Sequence, residues 1–341
     1  MKIAIITINS RNYGNRLQNY ALQNILMNLG NSVLTLRREE NKKIKEMIKT
    51  IVQTVLQTKG IKFKQFDKNI YFSNEVVTKD DYPDNICSLY DYFIVGSDQV
   101  WNPYYDFVAG KCDFLEFAKS NQKVSYAASF GVSEIPDDRK KEYAEWLKSF
   151  KAISVREMAG AKIVKDLADR EATVVLDPTL LLDENEWKHI EKKSEACPKN
   201  KYVFVYALGE KSDRFKKKIV QLSREFEIFD VCMVQKNGRE LSVGPSEFLY
   251  LIRNAEMILT DSFHATVFSI IYHKKFVTFN RTGLNMNSRI ASLAELIDAR
   301  SQLNESGDWD CEIEIDYRKV DTILEEERRK SIDFLSKALK N

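Results

Sequence analysis

The chain has 341 residues, which is enough for two ordinary domains that each bury a core. Apolar residues make up 44% and charged residues 30%, as in soluble globular proteins, and 52 basic against 50 acidic side chains leave a net charge of +2. This balance provides no basic excess for nucleic acid, which is therefore not an expected partner.

The five cysteines are odd in number and widely spaced, which argues against a disulfide framework. No CxxC spacing occurs among Cys87, Cys112, Cys197, Cys232 and Cys311, so a zinc site is not expected. The opening apolar run is too short for a signal-peptide core or a membrane span, and no later run is long enough. We expect a cytoplasmic protein that is neither exported nor integral to a membrane.

Short apolar runs that alternate with helical patterns predict a first α/β domain. Ile3–Ile8 is typical of a strand buried in a parallel sheet, and apolar residues at helical spacing follow it up to Gly30. Val33–Leu36 is the next predicted strand, which completes a βαβ opening. Further strand-like runs are Tyr92–Val95, Val124–Ala128, Ile153–Val155 and Thr173–Leu176. We predict a doubly wound domain over residues 1–182.

A second α/β series follows a charged stretch and predicts another Rossmann-like domain over residues 183–341. Its strand-like runs are Tyr202–Leu208, Ile228–Val234, Met257–Leu259 and Phe276–Phe279. Apolar residues at mostly helical spacing from Asp316 to Leu339 predict a terminal helix that could cross back onto the first domain. The predicted fold is α/β, with two Rossmann-like domains facing a cleft and ligands outside the carboxyl ends of the strands.

The segment Lys42–Lys64 combines an apolar stripe with seven lysines. This pattern predicts an amphipathic helix whose apolar face packs on the protein. The alternative is a basic helix that rests on an anionic membrane and brings the protein to a lipid-linked acceptor.

Polar side chains cluster where the predicted strands of the first domain end. The turn after the first strand offers backbone N–H groups and a helix dipole to an anion, or is simply a capped helix start. It is not the GxGxxG dinucleotide signature, and no Walker A pattern occurs. Gly96 would admit a ligand to the backbone, and Trp101 is either a flat face for a sugar ring or a core aromatic. The candidate binding residues here are Asn15, Arg16, Gln18, Asn19, Ser97, Gln99, Trp101, Ser129 and Phe130.

Arg156 closes the strand-like run Ile153–Val155. A guanidinium in this position can bind a carboxylate or phosphate through two hydrogen bonds. The alternative is an ion pair with Glu157 or another acid. Asp177 ends the last strand of the domain, where its Asp-Pro sequence predicts a structural turn rather than a site.

The most distinctive candidate is His264, one of only three histidines. It follows a predicted strand and falls in the first turn of a predicted helix, which Thr260, Asp261 or Ser262 can cap. An imidazole at a helix N-terminus could transfer protons near neutral pH beside an anion site. The alternative is a half-buried histidine hydrogen-bonded to a carbonyl group.

Seven segments resemble, in this order, the bacterial polysaccharide pyruvyltransferase family over roughly residues 1–295. They are NYGNRLQNYALQ, VGSDQVWNP, YAASFG, SVRE, LDPTLLL, TDSFHATVFS and NSRIASL. The resemblance implies a fold like that of GT-B glycosyltransferases and phosphoenolpyruvate as the donor substrate. It also implies no metal or redox cofactor, and a pyruvate ketal on a cell-surface glycan such as a capsule or exopolysaccharide precursor.

The family's catalytic histidine matches His264, and its SVRE arginine matches Arg156. Many members carry an arginine two residues before that histidine, where this chain has Ser262. The donor's charge would then be neutralised by Arg156, Arg16, Lys275, Arg281 or Arg289. Under this assignment Asp98 orients the acceptor hydroxyl, and the remaining candidates for substrate binding are Asp261, Ser262, Phe263 and Arg289.

The alternative function is a nucleotide-sugar glycosyltransferase of the same architecture, since a fold does not determine an activity. A non-catalytic glycan-binding module is a third hypothesis, and it would require that His264 is dispensable. The expected partners are phosphoenolpyruvate and a glycan acceptor, which we expect to be lipid-linked. Peripheral contact with the inner face of the membrane remains an alternative, and the sequence names neither the acceptor sugar nor the oligomeric state.

Overall fold

The structure is a computed structural model that describes residues 1–39, 58–233, 235–236, 239–240, 243–281, 287–304, 306–310 and 315–340. The described residues form two compact α/β units. The first unit contains residues 1–39, 67–181 and 325–340, and the second contains residues 58–66 and the described part of 182–324.

Strands and helices alternate along most of the described chain. The strands are β1 (Lys2–Ile6), β2 (Ser32–Arg38), β3 (Phe72–Val77), β4 (Tyr92–Asp98), β5 (Lys123–Ala128), β6 (Ser154–Val155), β7 (Thr173–Val174), β8 (Tyr202–Tyr206), β9 (Glu227–Asp230), β10 (Gln235–Lys236), β11 (Arg239–Glu240), β12 (Met257–Thr260), β13 (Lys275–Thr278) and β14 (Trp309–Asp310). The helices are α1 (Tyr13–Asn28), α2 (Thr58–Phe66), α3 (Asp137–Lys148), α4 (Met158–Ala168), α5 (Glu184–Lys188), α6 (Asp213–Leu222), α7 (Pro245–Asn254), α8 (Phe263–Ile271), α9 (Asn287–Leu296) and α10 (Tyr317–Ala338).

The first unit is built on a parallel sheet with the strand order β3-β2-β1-β4-β5-β6-β7. The order reverses direction between β1 and β4, which is the switch point of a doubly wound sheet. β4 and β5 are buried along their whole length, as expected for strands covered on both faces. The predicted doubly wound fold of this region is therefore confirmed.

Helix α1 packs closely on the middle of this sheet. It begins after Asn12, whose side chain accepts a hydrogen bond from the backbone N–H of Gly14 at 2.9 Å. It stops just before Gly30, whose φ of 82° suits glycine, as the sequence predicted. A Cβ atom at Gly96 would lie 2.4 Å from the side chain of Leu22. Gly96 therefore allows α1 to approach β4, and the prediction that it admits a ligand was wrong.

The second unit contains a sheet with the strand order β14-β13-β12-β8-β9. Its pairs are parallel except for β13 and β14, which are antiparallel. The predicted strand Ile228–Val234 is shorter in the structure, because β9 ends at Asp230 and a turn follows. Val234 lies outside the described residues.

The units depart from the two predicted domain ranges in two segments, one of which the sequence anticipated. Helix α2 lies within the predicted first domain but belongs to the second unit, where Lys62 Nζ lies 2.7 Å from Glu247 Oε1 at the start of α7. Residues of α10 from Glu325 onward belong to the first unit, where the hydroxyl of Ser331 accepts a hydrogen bond from the N–H of Leu176 at 3.0 Å. This agrees with the expectation that the terminal helix could cross back onto the first domain.

Several expectations concern residues that lie partly outside the described ranges. Residues 40–57, which carry most of the predicted amphipathic stripe, are among them, and so is Cys311. None of the four described cysteines forms a disulfide. No helix in the described part of the chain is long and apolar enough to span a bilayer.

Candidate functional site

The first sheet brings polar side chains together at the carboxyl ends of four strands. Asp98 pairs with Ala128, and Ala128 pairs with Val155, so the residues that follow β4, β5 and β6 are neighbours. Asp177 follows β7 at the same edge, although its sequence predicts only a structural turn. This edge is where ligands bind in open α/β sheets.

Arg156 is surrounded by carboxylates within this group. Its Nη1 donates a hydrogen bond to Asp177 Oδ2 at 2.8 Å. Its Nη2 lies 3.5 Å from Asp98 Oδ1, and its Nε lies 3.7 Å from Glu157 Oε2. Burial by itself would lower the pKa of Arg156, but the three carboxylates outweigh it, and the pKa is raised. The guanidinium is therefore held in its charged form inside the protein.

The charge around Arg156 bears on its predicted role as a donor clamp. Asp98, Glu157 and Asp177 already contact this guanidinium inside the protein. An anionic donor would have to compete with these carboxylates for it. The ion-pair alternative describes Arg156 in the structure, and donor binding by this residue stays a prediction.

Asp98 is the most accessible carboxylate of the group. Its side chain is 12% exposed, compared with 1% for Glu157 and 0% for Asp177. Its φ of 63° lies in the left-handed region, which is uncommon for residues other than glycine. Asn15 Nδ2 donates to Asp98 Oδ2, and the backbone N–H of Gln99 donates to Oδ1 at 2.9 Å. Asp98 is thus an oriented carboxylate that can accept a hydrogen bond from a hydroxyl group.

Four polar residues predicted to bind substrate are instead bonded inside the first unit. They are Gln18, Asn19, Ser97 and Ser129, all at most 1% exposed. Ser97 Oγ donates to Asp177 Oδ2 at 2.8 Å, and Ser129 Oγ donates to Glu157 Oε1 at 2.7 Å. Gln18 Nε2 donates to a threonine hydroxyl at 2.8 Å, and Asn19 Oδ1 accepts from another at 2.8 Å. Their polar groups have partners within the protein, as buried polar groups require, so their assignment as substrate contacts stays a prediction that their burial opposes.

Trp101 and Phe130 belong to the hydrophobic core, and both are completely buried. The ring of Trp101 stacks on Phe114 at a centroid distance of 5.3 Å, and its Nε1 donates to the carbonyl of Asp113 at 2.8 Å. The prediction that Trp101 presents a face to a sugar was therefore wrong, and its core alternative holds. Burial of so large an apolar surface favours the core.

Two further candidates of the first unit, Arg16 and Gln99, are buried and have local partners. Arg16 Nε lies 2.7 Å from Asp67 Oδ1, and burial lowers the pKa of Arg16 in spite of this contact. Gln99 Oε1 accepts a hydrogen bond from Asn102 Nδ2 at 2.7 Å. A substrate would have to compete with these contacts.

In the second unit, the turn between β12 and α8 has the predicted form. Ser262 is the residue that caps α8, and its Oγ accepts a hydrogen bond from the N–H of Ala265 at 3.4 Å. Asp261 instead accepts hydrogen bonds from the backbone N–H groups of Leu208, at 2.7 Å, and Gly209, at 2.8 Å. Asp261 thereby joins the ends of β12 and β8.

His264 lies in the first turn of α8, as the sequence predicted. It is 6% exposed, and its ring meets the ring of Phe263 edge to face at a centroid distance of 5.3 Å. The imidazole is therefore more buried than the half-buried histidine of the alternative hypothesis. Its role in proton transfer stays a prediction.

Arg281 and Arg289 line a cavity beside the start of α8, together with Asp261, Phe263 and Asn280. Arg281 Nε lies 3.1 Å from Asp261 Oδ2, and the guanidinium of Arg289 lies over the ring of Phe263 at 6.0 Å. Two guanidinium groups thus lie at this cavity beside the carboxylate of Asp261. The N-terminus of α8 lies at the same turn, and its dipole is favourable to an anion.

The described residues contain no group of three or more histidine, cysteine or acidic side chains that could hold a metal ion. The comparison with known families decides the class of the protein. The family model for polysaccharide pyruvyl transferase matches residues 12–283. The chain belongs to this family. The match includes Asp98, Arg156 and His264, whereas Arg289 lies beyond it. No curated protein is similar enough in sequence to count as a match.

Solved structures agree with a GT-B-like fold for this pyruvyl transferase family member. The UDP-GlcNAc 2-epimerase from Methanocaldococcus jannaschii is 12% identical, with a TM-score of 0.54 over 95% of this chain and 92% of that chain. The UDP-GlcNAc 2-epimerase from Neisseria meningitidis, bound to UDP-GlcNAc, is 11% identical, with a TM-score of 0.49 over 99% and 100%. The glycotransferase of kitacinnamycin is 12% identical, with a TM-score of 0.48 over 99% of each chain. At 12% identity and a TM-score of 0.54, the likeness to the Methanocaldococcus jannaschii enzyme concerns the fold alone. Together with the two α/β units and their sheets, it confirms the α/β prediction with two Rossmann-like domains.

Proposed function

We propose that this protein transfers a pyruvyl group from phosphoenolpyruvate to two hydroxyl groups of one sugar in a polysaccharide precursor, forming a ketal. The family match supports a transferase of this kind. The observation that carries the donor assignment is the placement of two guanidinium groups, those of Arg281 and Arg289, at a cavity beside the N-terminus of α8. Phosphoenolpyruvate is a small dianion or trianion, and guanidinium groups and helix N-termini are the groups that bind such anions.

Arg281 and Arg289 would replace the positive charge of the arginine that many family members carry at the position of Ser262. A guanidinium at residue 262 would stand at the helix N-terminus, where Ser262 acts as the cap. Arg281 reaches the neighbouring Asp261 from β13's carboxyl end, and Arg289 reaches Phe263 from α9. The positive charge is thus supplied from other elements to the same turn.

His264 is the proposed acid–base group of the reaction. Ketal formation begins when a proton is added to the methylene carbon of phosphoenolpyruvate, which makes C2 electrophilic. One sugar hydroxyl then bonds to C2 and loses its proton, and a second hydroxyl displaces phosphate from the same carbon. His264 would donate the first proton or accept one from a hydroxyl, since histidine serves both roles.

Asp98 is the proposed group that orients an acceptor hydroxyl. Its carboxylate is held by Asn15 and by the backbone N–H of Gln99, and it keeps an accessible edge. A carboxylate in this state can accept the hydrogen bond of a sugar hydroxyl and align its oxygen. Arg156 and Asp177 support this position from the buried side.

The proposed function is tested by incubating the protein with phosphoenolpyruvate and a panel of lipid-linked oligosaccharides. The expected result is release of inorganic phosphate and an acceptor mass increased by that of one pyruvic acid less one water. A parallel panel of nucleotide sugars tests the glycosyltransferase alternative. Sugar transfer from a nucleotide donor, with no turnover of phosphoenolpyruvate, would establish that alternative and overturn the proposal.

Replacing Arg289 with alanine is expected to weaken phosphoenolpyruvate binding by about 1.5–3 kcal/mol, the usual size of a charged hydrogen bond. Isothermal titration with phosphoenolpyruvate alone measures this change. The matched control is Arg300→Ala, because Arg300 is 68% exposed and pairs with Glu295 on the surface. Unchanged donor affinity together with a lower unfolding temperature would assign Arg289 to packing on Phe263 only.

A further inference from the structure

The loop after β4 exposes aromatic side chains within four consecutive residues. Tyr104 is 67% exposed and Phe107 is 41% exposed. Tyr105 is half-buried, and its ring stacks on Phe107 at a centroid distance of 5.5 Å with an interplanar angle of 12°. Contiguous exposed apolar surface of this kind marks interaction sites more often than isolated apolar residues do. We call residues 104–107 the aromatic platform.

The backbone beneath the aromatic platform is held at several points. The N–H of Tyr104 donates to Asn102 Oδ1 at 2.9 Å, and Arg38 Nη2 donates to the carbonyl of Phe107 at 2.6 Å. Arg139 Nη2 donates to the carbonyl of Ala109 at 2.9 Å. The rings are therefore exposed on an anchored segment, so a ligand would not have to order the loop on binding.

These anchors place the aromatic platform at the carboxyl edge of the first sheet. Arg38 is the last residue of β2, and Asp98 is the last residue of β4, with β1 between these strands. Arg139 lies in the first turn of α3, which follows β5. The platform is thus held by residues from the same edge that carries Asp98, where open α/β sheets bind their ligands.

The charges around the aromatic platform favour a neutral ligand. The platform, the segment packed against it and its anchoring residues carry four basic side chains, which are Arg38, Lys79, Lys111 and Arg139, and five acidic ones, which are Asp80, Asp81, Asp106, Asp113 and Glu142. Four positive and five negative charges provide no basic excess for an anionic membrane surface. A sugar chain fits instead, because it combines apolar C–H faces with hydroxyl groups.

We propose that the aromatic platform binds sugar rings of the acceptor glycan. Tyr104 and Phe107 offer apolar ring faces to sugar C–H groups, and the carboxylate of Asp106 and the tyrosine hydroxyls can pair with sugar hydroxyls. The platform takes the role that the sequence suggested for Trp101, which is buried three residues upstream of Tyr104. That the bound glycan is the acceptor of the reaction rests on the proposed function.

The test is binding of the intact protein to an array of bacterial surface oligosaccharides in the absence of phosphoenolpyruvate. The parent protein is expected to bind at least one glycan, and the double variant Tyr104→Ser, Phe107→Ser is expected to bind it about tenfold more weakly or worse. The matched control is Tyr71→Ser. Tyr71 is 58% exposed in the same unit, but it precedes β3 at the amino edge of the sheet. Its replacement is expected to leave glycan binding unchanged.

Each other outcome overturns the aromatic platform as a glycan site. These outcomes are a parent protein that binds no glycan on the array, and a double variant that binds as well as the parent. In a third outcome, the parent binds phosphatidylglycerol vesicles but no glycan, and the double variant does not bind the vesicles. This outcome would make the platform a membrane contact. Failure of the proposed function is separate, since it would appear as absent phosphoenolpyruvate turnover with platform-dependent glycan binding intact.

Discussion

Replacing His264 with glutamine is expected to slow pyruvyl transfer by about a hundredfold to ten-thousandfold, the usual range for general acid–base catalysis. Glutamine has a similar reach and can form hydrogen bonds, but it cannot transfer a proton. The affinity for phosphoenolpyruvate should change little, because proton transfer is needed in the transition state more than in the ground state. Steady-state turnover and titration with the donor alone measure the two quantities separately.

The matched control for this change is His273→Gln. The side chain of His273 is 43% exposed and lies 2.9 Å from Asp321, away from the start of α8. This variant is expected to keep the parent rate, and thermal unfolding of all three proteins shows whether packing is disturbed. Turnover of His264→Gln within about fivefold of the parent would fall below the acid–base range and would leave His264 a packing residue.

Replacing Arg156 with alanine is expected to destabilise the protein by about 3–5 kcal/mol, because it leaves buried carboxylates without their cation. Asp98, Glu157 and Asp177 would then repel one another inside the first unit. A loss of this size is a large part of the stability of an ordinary protein. Urea unfolding followed by tryptophan fluorescence measures it as a shift of the midpoint.

A charge-conserving variant and a surface control separate this ion-pair role from donor binding. Arg156→Lys, which keeps the charge, should lose less than alanine, and the surface control Arg300→Ala should stay within about 1 kcal/mol of the parent. Parent-like stability of Arg156→Ala with weakened phosphoenolpyruvate binding would restore the donor role predicted from the sequence.

Much of the fold follows from local patterns in the chain. The continuous apolar runs at β1, β4 and β12 predict buried parallel strands, because such strands are covered on both faces. The terminal helix α10 spans Tyr317–Ala338, within one residue of the prediction at each end. The antiparallel strand β14 is only two residues long, and a run so short has no periodicity to reveal it.

The candidate site was predictable in its location but only partly in its residues. Polar residues after parallel strands must meet at one edge of the sheet, which is why Asp98 and Arg156 could be grouped from the sequence. Asp177 also follows a parallel strand, β7, and its position after that strand could have revealed it as a partner of Arg156. The sequence could not decide whether a given side chain is accessible or buried. Trp101 was a candidate for sugar binding, but its side chain is completely buried.

The sequence by itself determined most of the parallel strands, the terminal helix, the position of His264 in the first turn of α8 and the family. These features depend on the spacing of residues and on their neighbours along the chain, which can be read directly from the sequence. Only the tertiary structure decided that Arg156 is enclosed by three carboxylates, that Arg281 and Arg289 reach the start of α8, and that residues 104–107 are exposed. Those properties depend on burial and on contacts between residues that are far apart in the chain. The electrostatic environment of a group is set by the charged side chains around it, and only folding brings these side chains together.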